Sequence, residues 1–332
     1  MTWFRKMTGV EETSPHAVRE MIQVAGSQLV SLANNSRYQF GRVEIPTLAE
    51  LRERIRDVET SHAKITVREV VADVQKLHVE TSNAGALFQV ASQFNLLEMV
   101  SPERTPEDGI GIYEHDRTQG PACAIACGAG TIYRNYFVPV NGQHGQTAAN
   151  QIDCLADIGT ALGNQDSRLW RMENGYALPS QAGLAEVSQR LLSANEEQLD
   201  ELRSLLRIGV QWDTQVTLNN CQHVVTQAYC SAMPVAYTGH SSSVWKPFAK
   251  LVLEAAYEAT LCTGILNARA TGNRTVFLTL LGGGAFGNMT EWISDAIRHA
   301  LNEHRHANLD VAIVSYGTSR DFVRALARDY VA

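Results

Sequence analysis

The sequence of 332 residues predicts an α/β fold. Residues 275–281 are almost all apolar and partly β-branched, with no alternating polar face, as is typical of a central parallel strand covered on both faces. Residues 65–71 and 310–316 are two further strand-like runs. After the first run, apolar residues recur with a period of 3.6 from Trp292 to Leu301, which predicts a helix packed on the sheet. These observations favour a mixed sheet between helices.

Composition and charge exclude several classes of protein. The 45% hydrophobic content is enough for a core, and the net charge of −7 comes without a cluster of Lys and Arg, which argues against a nucleic-acid partner. The sequence has no run of 18 apolar residues, and its first residues lack an apolar stretch with a cleavage site. We therefore expect neither membrane insertion nor secretion, and a cytoplasmic location.

Metal and thiol chemistry are not indicated by the cysteines. They are scattered through apolar segments, as expected for reduced thiols in a cytosolic protein, at Cys123, Cys127, Cys154, Cys221, Cys230 and Cys262. Neither Cys123-x-x-x-Cys127 nor Cys221-x-His223 has a second pair of ligands at zinc spacing. Nothing identifies a third group that would orient Cys221 and His223 as a nucleophile pair. We expect no structural zinc, and no metal or cofactor needed for folding or activity.

A glycine loop follows the strand at 275–281. Gly282, Gly283 and Gly284 remove every Cβ where a backbone turns sharply or approaches a ligand. Asn288 and Glu291 form a capping-box pattern, which predicts that the next helix begins near Asn288 with its N-terminal dipole facing the loop. Free backbone N–H groups in such a place bind phosphate or pyrophosphate. The alternative is a glycine-rich turn that only closes a βα unit.

The loop sequence GGGAFG resembles one known family. It lacks the Lys-Ser/Thr of a P-loop and the G-x-G-x-x-G spacing of a dinucleotide fingerprint. It is similar to the pyrophosphate loop of macrodomains, especially in the poly(ADP-ribose) glycohydrolase branch. The resemblance implies a three-layer α/β/α fold around a mixed sheet, and ADP-ribose as the ligand. It also implies that the ligand contacts Gly282, Gly283, Gly284, Ala285, Phe286, Gly287 and Asn288.

The N-terminal pattern W-F-x-K-x-T-G-x-E-E-x-S-P, which begins at Trp3, is similar to a macrodomain-like family that includes the bacterial effector MavL. This resemblance makes an ADP-ribosylated protein the expected partner, with ubiquitin as one candidate. We predict a mainly helical extension at 1–61, with helices at 15–33 and 48–58, the latter capped by Thr47. A macrodomain-like domain is predicted at 62–332, with a helical insertion at about 141–207.

Three polar residues follow predicted strands and correspond to nucleotide contacts in macrodomains. Asp73 stands where the family has an Asp that accepts from the adenine amino group. Gln93 and Asn95 lie where an Asn or Gln touches the ribose, and ligands of open α/β sheets bind outside the carboxyl ends of the strands. The alternatives are a turn or cap role for Asp73 and simple solvation of the strand end for the other two.

The catalytic acid is not fixed by the resemblance, because the Gly-Gly-Gly run that usually follows the strand end at Gln93, and the Gln-Glu-Glu signature of the glycohydrolases, are absent. We nominate Asp116 first, Glu98 second and Asp213 third, the last because it interrupts an apolar run. Gln119 is a candidate orienting amide, and Thr118 a further ligand donor. The alternatives are that Asp116 caps a helix, that Glu98 is a solvated loop charge and that Asp213 is a strand-edge residue.

Tyr316 ends a strand adjacent in order to the glycine loop, so it is placed to stack on adenine or ribose; a tyrosine at the core edge is the alternative. The function implied is ADP-ribose binding and hydrolysis of an ADP-ribosyl bond. Two other functions stay open, a reader module without catalysis and a different nucleotide-phosphate hydrolase.

Overall fold

In the computed structural model of the protein, the structure describes residues 1–56 and 64–330. The helices of these residues are α1 (Trp3–Thr8), α2 (Pro15–Met21), α3 (Leu48–Ile55), α4 (Val74–Val79), α5 (Gln119–Ala126), α6 (Gly128–Tyr136), α7 (Ala156–Leu162), α8 (Gln181–Ser193), α9 (Glu196–Ser204), α10 (Ser242–Thr271), α11 (Thr290–Glu303) and α12 (Asp321–Arg328). The strands are β1 (Ile22–Ala25), β2 (Gln28–Ser31), β3 (Arg37–Gln39), β4 (Arg42–Glu44), β5 (Thr66–Val71), β6 (Leu87–Ala91), β7 (Pro139–Val140), β8 (Gln143–His144), β9 (Trp170–Glu173), β10 (Tyr176–Pro179), β11 (Gly209–Gln215), β12 (Val224–Cys230), β13 (Thr275–Leu278) and β14 (Asp310–Ser315).

The main sheet has seven strands in the order β4-β11-β12-β6-β13-β14-β5. Strands β12, β6, β13, β14 and β5 run parallel, whereas β4 and β11 pair antiparallel at the other edge. Neighbouring residues of β6 show that both faces are covered. Phe88 stacks on His78 of α4, and the side chain of Gln89 donates to Thr260 of α10 at 2.9 Å. The predicted three-layer α/β/α mixed sheet is confirmed.

The N-terminal region departs from its prediction as a helix over 15–33. Helix α2 ends at Met21, and β1 and β2 form a hairpin around Gly26, whose φ is +61°. The reason is the two-residue Gly26-Ser27 loop, since a glycine in the first loop position favours a tight hairpin over a continuous helix. The capping box of Thr47 and Glu50 is present, as predicted.

The boundary of the N-terminal extension stays a prediction, because the junction at 61/62 and the expected end of α3 at Val58 lie outside the described residues. The extension is nevertheless part of the main sheet through the edge strand β4. The predicted insertion at 141–207 holds α7, α8, α9 and the hairpin β9–β10. That hairpin turns at Asn174-Gly175, as the sequence indicates.

The first residues of the chain brace the segment that leads to α5. The carboxylate of Glu12 accepts from the N–H groups of Ile110 and Gly111 at 2.9 and 2.7 Å and from the Tyr136 hydroxyl at 2.6 Å. The Trp3 indole donates to the Ile110 carbonyl at 2.9 Å. A second hydrophobic core, separate from the one around the sheet, forms between these segments. Within the described chain, no helix combines the length and the hydropathy needed to cross a bilayer.

Candidate functional site

A cleft opens at the carboxyl ends of β6 and β13, where ligands of open α/β sheets bind. It consists of two adjoining cavities, an inner cavity of about 150 Å³ and an outer cavity of about 840 Å³. Both are lined by Asp116, Thr118, Gln119 and Gly284, so they form one continuous space. The glycine loop forms one wall, and the N-terminus of α5 forms another.

The glycine loop presents backbone donors to this cleft. Gly282 and Gly287 have φ of +73° and +71°, conformations that favour glycine. Within the described residues, the N–H groups of Gly284, Ala285 and Phe286 donate to no protein acceptor, although all three residues line the inner cavity. Unpaired N–H groups of consecutive residues suit the oxygens of an anion. The prediction of an anion-binding loop therefore has the required donors.

Asn288 does not cap the following helix, so the capping-box prediction is wrong. Helix α11 begins at Thr290, with Met289 as its N-cap and no capping side chain. The side-chain amide of Asn288 instead donates to the Met233 carbonyl at 2.8 Å. A carbonyl beyond the end of β12 thus outcompetes the local cap, and the bond ties the glycine loop to the segment that follows β12, two strands away from β13 in the sheet.

The N-terminus of α5 is held close to the end of β6. The Gln119 side chain accepts from the Ala91 N–H at 2.9 Å and donates to the Gln89 carbonyl at 2.8 Å. The amide thus bonds to the backbone of β6 as a neighbouring strand would. A Cβ on Gly120 would lie 1.9 Å from the Ala91 carbonyl oxygen, so this approach requires glycine. The Gln119 amide therefore positions the helix rather than pointing freely into the cavity, and Thr118 is exposed at the rim.

Glu98 is a buried carboxyl group at the inner cavity, not the solvated charge of the alternative interpretation. Burial raises its pKa to about 8, although the Arg134 guanidinium 3.6 Å away and the nearby Tyr113 hydroxyl oppose this shift. Neither carboxyl oxygen has a hydrogen-bond partner in the described part of the chain. Near neutral pH the group is thus held largely protonated beside the cavity.

Arg134 was not predicted from the sequence as a site residue. Its side chain is fully buried, donates to the Leu96 carbonyl at 3.0 Å and lies 3.6 Å from the centroid of the Tyr229 ring. These contacts fix the segment that carries Glu98. No local motif marks this role, because the partners come from distant segments.

Asp116 lies half-buried between the two cavities. One carboxylate oxygen accepts from the Thr118 N–H at 2.8 Å, which turns the chain into α5, and Thr118 rather than Asp116 is the N-cap. The structure thus brings Asp116, Glu98 and the glycine loop to one space. This combination offers a protonated acid, a second carboxylate and anion-binding N–H groups.

Three aromatic side chains close the inner cavity on the side of the insertion. Tyr176 of β10 lies with its ring centroid 5.0 Å from that of Tyr237 and 5.3 Å from that of Phe286. Phe286 was predicted as part of the loop, whereas the two tyrosines were missed as site residues. Their distance along the chain explains the omission.

Asp73 and Tyr316 line the outer cavity. The Asp73 carboxylate caps α4 by accepting from the Gln75 N–H at 2.8 Å, as the cap alternative holds, and Tyr316 is 70% exposed. Gln93 lines the inner cavity, but its amide is engaged with both the N–H and the carbonyl of Met99. These three residues lie at the cleft, and their contact with a ligand stays a prediction.

Asn95 and Asp213 are not brought to the cleft. Asn95 is fully buried, and its amide bonds to Gln151 and to the Leu97 N–H. Asp213 is exposed at a bulge of β11, next to the edge strand β4, with φ of +53°, and its carbonyl accepts from the Gln39 side chain at 2.9 Å. The bulge turns the Asp213 carboxylate toward solvent, so it is not buried as its position in an apolar run suggested. Neither residue is therefore placed to contact a ligand in this cleft.

Fold and cleft define a class, an α/β/α sandwich with a glycine loop whose unpaired N–H groups line a cleft at the carboxyl edge of a mixed sheet. No family model and no curated protein matches the chain. Among solved structures, the chain is similar to poly(ADP-ribose) glycohydrolase from Thermomonospora curvata, with 13% identity, coverage of 98% of this chain and 97% of that chain, and a TM-score of 0.45.

Two further structures are of the same enzyme type. The Thermomonospora curvata glycohydrolase bound to the inhibitor ADP-HPD has 14% identity, coverage of 98% and 99%, and a TM-score of 0.47. The glycohydrolase from Deinococcus radiodurans in complex with ADP-ribose has 11% identity, coverage of 86% and 93%, and a TM-score of 0.45. They belong to the branch that the glycine-loop sequence resembles.

Proposed function

We propose that the protein binds ADP-ribose in the cleft and hydrolyses an ADP-ribosyl bond on a modified protein. One observation carries the proposal. The inner cavity combines the free N–H groups of the glycine loop with the buried carboxyl group of Glu98. Anion binding and acid catalysis in one space suit a phosphorylated sugar whose anomeric bond is cleaved.

In the proposed complex the diphosphate accepts from the N–H groups of Gly284, Ala285 and Phe286. The adenosine occupies the outer cavity, with Asp73 at the adenine and Tyr316 against a ring face. The second ribose enters the inner cavity between Glu98 and Asp116. The closing aromatic cluster of Tyr176, Tyr237 and Phe286 then limits water around the ribose.

The reaction follows from the two carboxyl groups. Glu98, protonated near neutral pH, gives its proton to the leaving oxygen of the modified side chain as the anomeric C–O bond breaks. A water forms the new bond to that carbon, and its proton goes to the Asp116 carboxylate. Both carboxyl groups stabilise positive charge at an oxocarbenium-like centre, as in other glycoside hydrolysis.

The test is turnover of an ADP-ribosylated protein, with ubiquitin as one candidate. We expect Asp116→Asn and Glu98→Gln each to lower the rate by roughly 10²- to 10⁴-fold with ADP-ribose affinity little changed. Asp213→Asn is the matched control and should keep the parent rate. Parent rates in both Asp116→Asn and Glu98→Gln would remove the catalytic assignment.

A reader module is the second candidate, favoured by the absence of a Gly-Gly-Gly run after the strand end at Gln93 and of the Gln-Glu-Glu signature. A different nucleotide-phosphate hydrolase is the third. Calorimetry with ADP-ribose, AMP and NAD separates them, because a reader binds ADP-ribose without turning over any modified protein, whereas the third class prefers another phosphorylated ligand. The proposal also retains a cytoplasmic setting, no cofactor, and no nucleic-acid or membrane partner.

A further inference from the structure

Four side chains with metal-ligating atoms meet between α10 and α11, away from the cleft. Glu258 and Cys262 lie one turn apart on α10, and His299 and His304 come from α11 and its C-cap. The His304 Nε2 atom lies 3.4 Å from the Cys262 Sγ atom and 3.9 Å from Glu258 Oε1, and His299 Nε2 lies 4.0 Å from Glu258 Oε2. Ligand atoms of Glu258, Cys262 and His304 all lie within 4.8 Å of one another.

The surroundings leave this cluster incompletely satisfied. The His299 Nε2 atom is buried and has no hydrogen-bond partner in the described part of the chain. Glu258 and Cys262 are 2% and 0% exposed.

The charge balance also leaves room for a cation. Arg52 donates to both carboxylate oxygens of Glu258, at 2.6 and 2.7 Å, and to both of Asp200 at 2.8 Å. One guanidinium between two carboxylates leaves a net charge of about −1, and each Glu258 oxygen keeps a second lone pair. The nearby Arg203 pairs with Glu196 and Glu254 and also lies 3.5 Å from Asp200, so two guanidinium groups face four carboxylates and the balance stays negative. A divalent ion offsets this charge together with that of the Cys262 thiolate that binds it.

The cluster can be reached from the surface on two sides. His304 lines a cavity of about 440 Å³, and His299 lines another of about 330 Å³. Their side chains are 12% and 26% exposed. An ion can thus enter at a histidine without opening the core.

We propose that Glu258, Cys262 and His304 bind one divalent transition-metal ion of the zinc type. Imidazole, thiolate and carboxylate are the ligands that Zn²⁺ takes in four-coordinate sites. Binding converts the Cys262 thiol to a thiolate and releases its proton to solvent. This proposal replaces the sequence-based expectation of no metal, which considered only Cys123, Cys127, Cys221 and His223. It is independent of the proposed hydrolase function.

The experiment uses the full chain after treatment with a chelator. Titration with Zn²⁺ by calorimetry should give one ion per chain, proton release, and a higher Tm, since an ion that binds only the folded state stabilises it. Titration with Co²⁺ should give the absorption bands of a thiolate-bound ion. Cys262→Ser should abolish these bands, and His304→Gln should weaken Zn²⁺ binding at least about tenfold.

Cys221→Ser and His306→Gln are the matched controls, because Cys221 is the less buried thiol and His306 lies beside the cluster in the same cavity as His304. Both should bind as the parent does. In the presence of chelator, each variant should have the same Tm as the parent, which verifies that it folds. If Cys262→Ser does not fold, Zn²⁺ binding by His304→Gln tests the proposal instead, because the His304 side chain is less buried than that of Cys262. The proposal is overturned if the parent binds no ion. It is also overturned if binding is lost in Cys221→Ser but kept in Cys262→Ser or His304→Gln.

Discussion

Replacement of Gly284 by glutamate tests the anion-binding loop without disturbing the fold. A Cβ built on Gly284 meets no atom within 4 Å, and its φ lies outside the left-handed region that favours glycine. Gly284 lines both cavities of the cleft. A glutamate side chain there therefore enters the space assigned to the diphosphate. Gly283 is a less clean position, because its Cβ would lie 3.0 Å from the Ile293 side chain.

The expected loss of affinity can be estimated from the charge alone. A carboxylate about 4 Å from one phosphate charge costs about 4 kcal/mol at an effective dielectric constant near 20. Since about 1.4 kcal/mol corresponds to tenfold, Gly284→Glu should weaken ADP-ribose binding roughly a thousandfold. The bulk of the side chain adds to this loss. Adenosine, which carries no phosphate, should be affected much less.

Calorimetry with ADP-ribose and adenosine is the assay. Gly239→Glu is the matched control, since a Cβ on Gly239 also meets nothing within 4 Å and Gly239 lines neither cavity of the cleft. It should bind ADP-ribose as the parent does. Parent affinity in a folded Gly284→Glu variant would refute the placement of the diphosphate at this loop.

Three further outcomes follow. Turnover should fall as pH rises through about 8, because the raised pKa of Glu98 keeps the required proton only below that value; a rate still rising at pH 9 would exclude it as the acid. Because the pKa of Glu98 is near 4.5 in the unfolded chain and about 8 in the folded protein, the parent loses stability as pH rises between these two values. Glu98→Gln should therefore gain stability relative to the parent between pH 5 and pH 9, as measured by denaturant titration. Gly120→Ala should cost roughly 1–3 kcal/mol of unfolding free energy by pushing α5 from the Ala91 carbonyl, and an unchanged denaturation midpoint would contradict the 1.9 Å approach.

The parts of the fold that the sequence predicts are those determined by local pattern. The buried strand before the glycine loop, the strand at Thr66–Val71 and the capping box of Thr47 each depend on a few consecutive residues. The loop glycines were found for the same reason, since two of them need positive φ.

The features that the sequence did not predict depend on partners far along the chain. Asn288 prefers a carbonyl 55 residues away over its local cap, and the Gln119 amide pairs with a strand 30 residues earlier. The burial that raises the pKa of Glu98 comes from segments that no local window contains. Asp213 stood as either a strand-edge residue or a third candidate acid, and the bulge that turns it outward is invisible in the apolar pattern.

The brace formed by Trp3 and Glu12 sets an order of events during synthesis. Both residues leave the ribosome about a hundred residues before their partners at Ile110 and Gly111. At typical elongation rates of about 5–20 residues per second, the N-terminal segment therefore waits roughly 5–20 seconds with its apolar side chains uncovered. Only then can Trp3 and Glu12 bind the segment that leads to Asp116. This wall of the cleft therefore forms well after the residues that stabilise it have been synthesised.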